Sequence, residues 1–548
     1  MTHTSTDPPA ARASGALVPV LAFVGIVVSV MQTLLIPVLK DLPHLLGTEP
    51  DNATWVITST LLAGAVATPI MGRLGDLYGK RRMLVLSLAM MVGGALVSAL
   101  TSDLYVMIAG RTLQGFVMSA IPLGLGLMRD LLPRERLGLA MAMMSSSMGI
   151  GSSLALPAAA LVAQHAGWRA LFYSSAGLGV FCIALTLLAI PESPARAQGT
   201  FDVRGAVGLS AGLVLFLLPI TKGGDWGWTS GATLGLFAAA VVVLVLWGVM
   251  ELRLRTPLVN LRTTARPAAL FTNLASIMVG ASFLVVSLVL PQLLQLPTST
   301  GHGLGQSMVV AGLCMAPLGL TMLLTAPVYA RLSAALSPRA ALILGMVIIA
   351  LGYGAGLGLM NAPWQSLVIT AILGVGIGLA YSSLPALITD ATPASETGSA
   401  NAVNTLMRSI GSSVASAVIG MVLAGTAHQV KGVTVPTLHG FRVSFLIAAG
   451  AMAIGLLTAL FLPRARPPGR PGHRAGGEED AKEPAGFSRC RRPGRAGKSG
   501  AKGGHTATRG RTAAGHRPTT TSGNAPDRAA AASPVDINHS THHRSSSA

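Results

Sequence analysis

Residues 72–82 read GRLGDLYGKRR, from Gly72 to Arg82, with a single acid, Asp76, set among Arg73, Lys80, Arg81 and Arg82. On either side the chain is apolar and free of charge, over 53–72 and 83–102. A helix needs about 20 apolar residues to cross a hydrocarbon core. The stretch therefore reads as a tight basic turn between two membrane spans.

Working outward, the same kind of run recurs almost back to back. Spans are expected at 16–39, 53–72, 83–102, 104–128, 137–163, 170–190, 205–221, 230–250, 268–296, 307–330, 340–360, 363–389, 400–426 and 443–462, fourteen in all. The seventh is the shortest and should tilt little or thin the bilayer. Composition agrees: 51% of residues are hydrophobic and only 11% charged, against about a quarter charged in soluble chains. The first apolar run is too long for a cleaved leader and is expected to stay in the mature chain.

The net charge of +19 would suggest nucleic acid on a soluble chain. Its placement says otherwise. Loops after even-numbered spans hold fifteen Lys and Arg, loops after odd-numbered spans only five. By the positive-inside rule, both termini are expected in the cytoplasm and the charge is largely topological. No nucleic-acid partner is expected for the membrane part. Every loop is too short for a nucleotide-binding domain, and GRAGKSG near Lys498 has Arg492 where a phosphate loop needs glycine. Cys182, Cys314 and Cys490 form no pair and no metal spacing. No metal or other cofactor is expected, and no enzymatic activity; any uphill work must draw on a gradient.

The GRLGDLYGKRR stretch resembles the signature GxxxDxxGRR of the major facilitator superfamily, with Gly72, Asp76, Gly79, Lys80, Arg81 and Arg82 at matching offsets. The resemblance implies a conformational latch between helix bundles, broken when the transporter turns inward. Leu77 departs from it, where a basic residue often follows the acid. In the fourth span, Arg111, Gln114 and Gly115 match the family's RxxQG motif. The fifth span resembles the antiporter motif GxxxGPxxGG through Gly149, Gly151 and Pro157, with Ala155, Ala158 and Ala159 in place of glycines, and Trp168, Arg169 and Phe172 match the WR(x)xF that follows it. Fourteen spans, the GGDWGW loop at 223–228 and ELRLRTPLVNL at 251–261 resemble the fourteen-span drug:proton antiporter branch. That implies an all-α integral membrane protein with the major facilitator fold: a cytoplasmic segment 1–15, a six-helix bundle 16–190, a linker with two extra helices 191–267, a second six-helix bundle 268–462, and a tail 463–548. It implies export of hydrophobic or amphipathic small molecules such as drugs, antibiotics or secondary metabolites against protons, by a monomer in the bacterial cytoplasmic membrane. Uptake or exchange of a small organic anion, or an uncoupled membrane sensor or flippase, stands as the alternative.

Charges deep in the spans are few, and an ionisable residue there is a functional candidate by default. They are Arg111 in the fourth span and Arg408 in the thirteenth. Asn401, Asn404, Arg408 and Ser412 follow spacings of three and four and so share one helix face, as do Arg111, Gln114 and Met118. Either stripe serves a cavity or ties helices together by hydrogen bonds. Gln32 and Thr33 in the first span, with Asn273 and Ser276 in the ninth, are further cavity candidates. No Asp or Glu lies deep in any span; Met31 stands where the family often has an Asp, and Lys40 replaces the final proline of that pattern. A cationic substrate then lacks a countercharge, which favours a neutral or anionic amphipath facing Arg111 or Arg408. Proton coupling would run through Asp76 and Arg111 or through the substrate's own protonation. The tail from Arg464 is rich in Arg, Gly, Pro and Ser and is expected to be disordered, serving anionic lipid, nothing, or representing read-through of a GC-rich frame.

Overall fold

The computed structural model describes residues 9–463 apart from 36, 37, 39–41, 195, 255, 431 and 432. Lys40 and the whole tail reading lie outside the described residues. Fourteen long helices follow one another: α1 Pro9–Thr33, α2 Trp55–Tyr78, α3 Lys80–Leu100, then Leu104–Gly115 continued through a 3-10 turn, Phe116–Ser119, into Ala120–Leu131 as α4. Next come α5 Arg134–Ala166, α6 Trp168–Ala189, α7 Val203–Trp226, α8 Gly231–Arg253, α9 Pro267–Gln295 and α10 Met308–Ala335. The series ends with α11 Pro338–Gly356, α12 Pro363–Ala391, α13 Thr397–Gly425 and α14 Leu438–Leu460. In hydrocarbon each backbone N–H and C=O must find its partner inside the segment, and the helix does this locally.

Thirteen of these helices are long and apolar enough to cross a membrane, and α1 supplies a shorter apolar stretch, Ala16–Gln32. The seventh span is longer than its uncharged run suggests, since α7 runs for 24 residues. It gains length because Asp202 caps its start, the Oδ1 accepting from Gly205 N at 2.9 Å. The chain is also not purely helical. Between α13 and α14 a small antiparallel hairpin forms from β1 Ala427–Val430 and β2 Val433–Pro436. His302, from the α9–α10 loop, bonds Pro436 O across 2.9 Å and ties the hairpin down.

Helices stop where the sequence supplies a stop. Gly79, at φ 117°, separates α2 from α3, a conformation that a side chain would resist. Two large apolar clusters form. The buried members of one run from Leu17 to Ile190, those of the other from Ala275 to Leu462. A third joins the two sides: Ala206, Leu209, Leu213 and Leu217 of α7 pack with Ala65 of α2 and Val403 and Leu406 of α13. The inserted α7 therefore fills the seam between the two six-helix groups, while α8 packs behind it with most of its surface exposed.

Candidate functional site

The basic turn clasps the second six-helix group from below. Asp76, fully buried at the end of α2, accepts from Gly398 N at 2.9 Å and Ser399 N at 2.7 Å. Those are the orphan donors of α13's first turn, where the helix dipole also favours an anion. The approach is possible because glycine faces glycine: a Cβ on Gly72 would fall under 3.0 Å from Gly398 O, and one on Gly398 under 3.0 Å from Asp76 Oδ1. Lys80 Nζ lies 3.4 Å from Asp76 Oδ1 and 2.7 Å from Asp130 Oδ2, with Lys80 and Asp76 both completely buried. Arg81 and Arg82 turn the other way, toward the end of α6. Arg81 N donates to Glu192 Oε1 at 3.0 Å and Arg81 Nη2 to Leu187 O at 2.6 Å, while Arg82 stands 3.8 Å from Glu192. The tie across the two groups thus falls to Asp76 and to Arg129, which donates to Thr392 O at 2.8 Å and to Thr397.

Between the groups lies a cavity of about 210 Å³. Gln32, Ala65 and Met118 are among the side chains on its first wall, Phe283, Tyr381 and Arg408 on its second. Leu217 and Thr221 of α7 complete it. Ser409, Ser412, Ser413 and Ser416 line the α13 side. Arg408 is the charged residue of that lining. Its guanidinium donates to Asn404 Oδ1 and Thr405 Oγ1, both at 3.0 Å, and sits 5.2 Å from the centre of the Tyr381 ring. These partners are neutral, so the positive charge is oriented but not cancelled.

Of the candidates read from the sequence, Gln32, Arg408 and Ser412 line this cavity, and Arg111, Gln114, Asn273, Ser276, Asn401 and Asn404 are placed elsewhere. Asn404 donates to Asn273 Oδ1 at 2.9 Å and to Ser276 at 2.6 Å, joining α13 to α9 and holding Arg408 from behind. Asn401 donates back to Thr397 O at 3.0 Å. Arg111 is turned into its own bundle, its Nε donating to Val56 O at 3.3 Å and its Nη1 to Gln114. Thr60 in turn donates to Arg111 O at 3.1 Å. Arg111 and Gln114, both buried, thus join α4 to α2 and stay off the cavity wall, while Met118 of the same face lines it. The side chain of Thr33 lies outside the described residues.

The Gly149 and Pro157 positions face α10. Ser146 donates to Met322 O at 2.6 Å, Pro157 packs on Gly312, and a Cβ on Gly319 would strike Gly149 O. Gly151 meets the other neighbour, Ile26 of α1. Small residues here let backbones from the two groups touch.

Sequence reading missed Arg129, Asp130, Tyr381 and the α7 residues. In the sequence Arg129 is simply one more basic loop residue, Tyr381 carries no motif, and nothing in α7 marks which face meets the seam.

These features match known proteins. The family model of the Major Facilitator Superfamily matches residues 21–310 and again 272–496. The Tetracenomycin C resistance and export protein of Streptomyces glaucescens is 27% identical over 388 residues, 69% of this chain and 70% of that protein. Multidrug resistance protein 3 of Bacillus subtilis is 23% identical over 423 residues, 75% of this chain and 80% of that one. Among solved structures, the human organic anion transporter MFSD10 is similar with a TM-score of 0.56 at 14% identity, over 83% of this chain and 100% of that one. The proton:xylose symporter XylE gives 0.57 at 15% identity, over 83% and 96%. With the helices, the clasp and the family match in agreement along most of its length, the chain belongs to the major facilitator superfamily.

Proposed function

We propose that the chain is a fourteen-span secondary transporter of a bacterial cytoplasmic membrane, with both termini inside. It exports hydrophobic or amphipathic small molecules, and proton antiport drives it. The names of the resistance and export proteins it resembles support export. In this reading 16–190 and 268–462 are the rocking bundles, 191–267 brings the inserted pair, and Asp76, Gly72, Gly79, Lys80, Arg81 and Arg82 form the inner latch. Gly149 and Pro157 are the sliding surface that lets one bundle rock on the other, and Gly151 of the same motif seats α5 on α1 within its own bundle.

The observation that carries the proposal is the cavity between the two helix groups, closed beneath by Asp76 on α13. A site midway through the protein with one end clamped is what alternating access requires. Its uncancelled Arg408 favours a neutral or anionic cargo, and supports exchange of an organic anion as the second reading. Protonation of Asp76 would weaken its hold on α13, which makes it a coupling candidate; Arg111, the other candidate, binds Val56 O near the opposite end of α2. Cells expressing the chain should accumulate less of an acidic amphipathic dye than empty-vector cells. Equal accumulation across a panel of acidic, neutral and cationic dyes would refute export.

A further inference from the structure

Away from the cavity and the latch, two acids from opposite ends of the inserted pair meet. Asp202 stands at the start of α7 and Glu251 in the last turn of α8. Glu251 is 2% exposed; its Oε2 accepts from Leu258 N at 3.0 Å, and its Oε1 is buried without a hydrogen-bond partner. Asp202 shows the same division, with Oδ1 on Gly205 N and Oδ2 buried and unpartnered. Both free oxygens point at one spot above Gly205, since a Cβ placed there would fall under 3.0 Å from each. Trp247 closes the space by donating from Nε1 to Gly205 O at 2.9 Å.

Among the described residues, the charged neighbours leave the pair alone. Arg204 on α7 and Arg253 on α8 are exposed, and Arg262 donates to Leu252 O. Arg73 of α2 and Glu396 at the start of α13 lie across the 254–261 loop, lining a separate space with Leu258 and Asn260. Among the described residues no cation forms an ion pair with Asp202 or Glu251. Two carboxylates that meet in a buried space cannot both ionise cheaply, and a proton held between them removes the repulsion and satisfies both oxygens.

We infer that Asp202 and Glu251 form a proton-binding site in which one proton bridges Asp202 Oδ2 and Glu251 Oε1. The site adjoins the latch. Glu251 anchors Leu258, and two residues on, Asn260 donates to both carboxylate oxygens of Glu396 at 3.2 Å. Glu396 directly precedes the first turn of α13, the turn that Asp76 holds. Loss of the proton drives the two acids apart, and the strap from Glu251 to Glu396 carries that strain to the clasp. This consequence rests on reading the chain as a proton-coupled transporter; the proton site itself does not.

The test uses the full chain in lipid nanodiscs and infrared difference spectra recorded across a pH titration. Wild type should show the carbonyl stretch of a protonated carboxylic acid at neutral pH, and Glu251→Gln should lose it, because Asp202, relieved of its acidic neighbour and partly reached by water, then ionises. Asp103→Asn, at an exposed cap, should keep it. An unchanged band in Glu251→Gln overturns the site. Should that variant fail to fold, Asp202→Asn should lower the proton affinity of the remaining acid by about tenfold or more, and an unshifted midpoint overturns it equally. In vesicles, Glu251→Gln should abolish acceleration of solute efflux by an imposed pH gradient. If wild type shows the band but no such acceleration, the proton site stands and the coupled reading fails.

Discussion

Replacing Asp76 with alanine removes the two hydrogen bonds that fasten α2 to the first turn of α13. Hydrogen bonds to a charged group are worth about 1.5–3 kcal/mol each. Lys80 is not orphaned by the change, because Asp130 remains 2.7 Å from its Nζ. The loss should therefore stay near the lower end of the roughly 3–5 kcal/mol that breaking a buried pair costs. Water reaching the exposed N–H groups of Gly398 and Ser399 offsets part of it. About 3 kcal/mol remains, which shifts the balance between clasped and open forms by about 10²-fold. Spin labels at Leu139 of α5 and Leu336 beyond α10, both exposed, would span the gap between the two groups on this face. In a background lacking Cys182, Cys314 and Cys490, wild type should give one short distance and Asp76→Ala a dominant longer one. An identical distance distribution from well-folded Asp76→Ala protein would show that the clasp does not hold the two groups together.

Arg408→Ala should reduce export of an acidic amphipathic dye by about tenfold or more while leaving a neutral one much less affected, measured as intracellular accumulation; equal losses would mean that the charge does not select cargo. Thr221→Trp, on the α7 wall, should fill the cavity and raise the apparent KM for bulky cargo more than for small. A KM unchanged for both would remove α7 from the site. Gly319→Ala should cost about 1–3 kcal/mol in thermal unfolding, because its Cβ meets Gly149 O, whereas Gly354→Ala, with open space around it, should cost almost nothing.

Membrane residence and the run of apolar helices could be read directly from the residues, because transfer into hydrocarbon depends on each short window of side chains taken by itself. The spacing of Gly72, Asp76 and Gly79 was legible for a related reason, since the three lie within about two turns of one helix end. What Asp76 grips was not, since Gly398 and Ser399 lie over 320 residues away. The two arginine stripes looked alike in sequence. Only helix packing turned Arg111 toward Val56 O inside its bundle and left Arg408 facing the cavity. The placement of α7 in the seam and the meeting of Asp202 with Glu251 are likewise decided by tertiary structure. A helix's hydropathy specifies that one face must be covered, and the shape of its neighbours chooses what covers it.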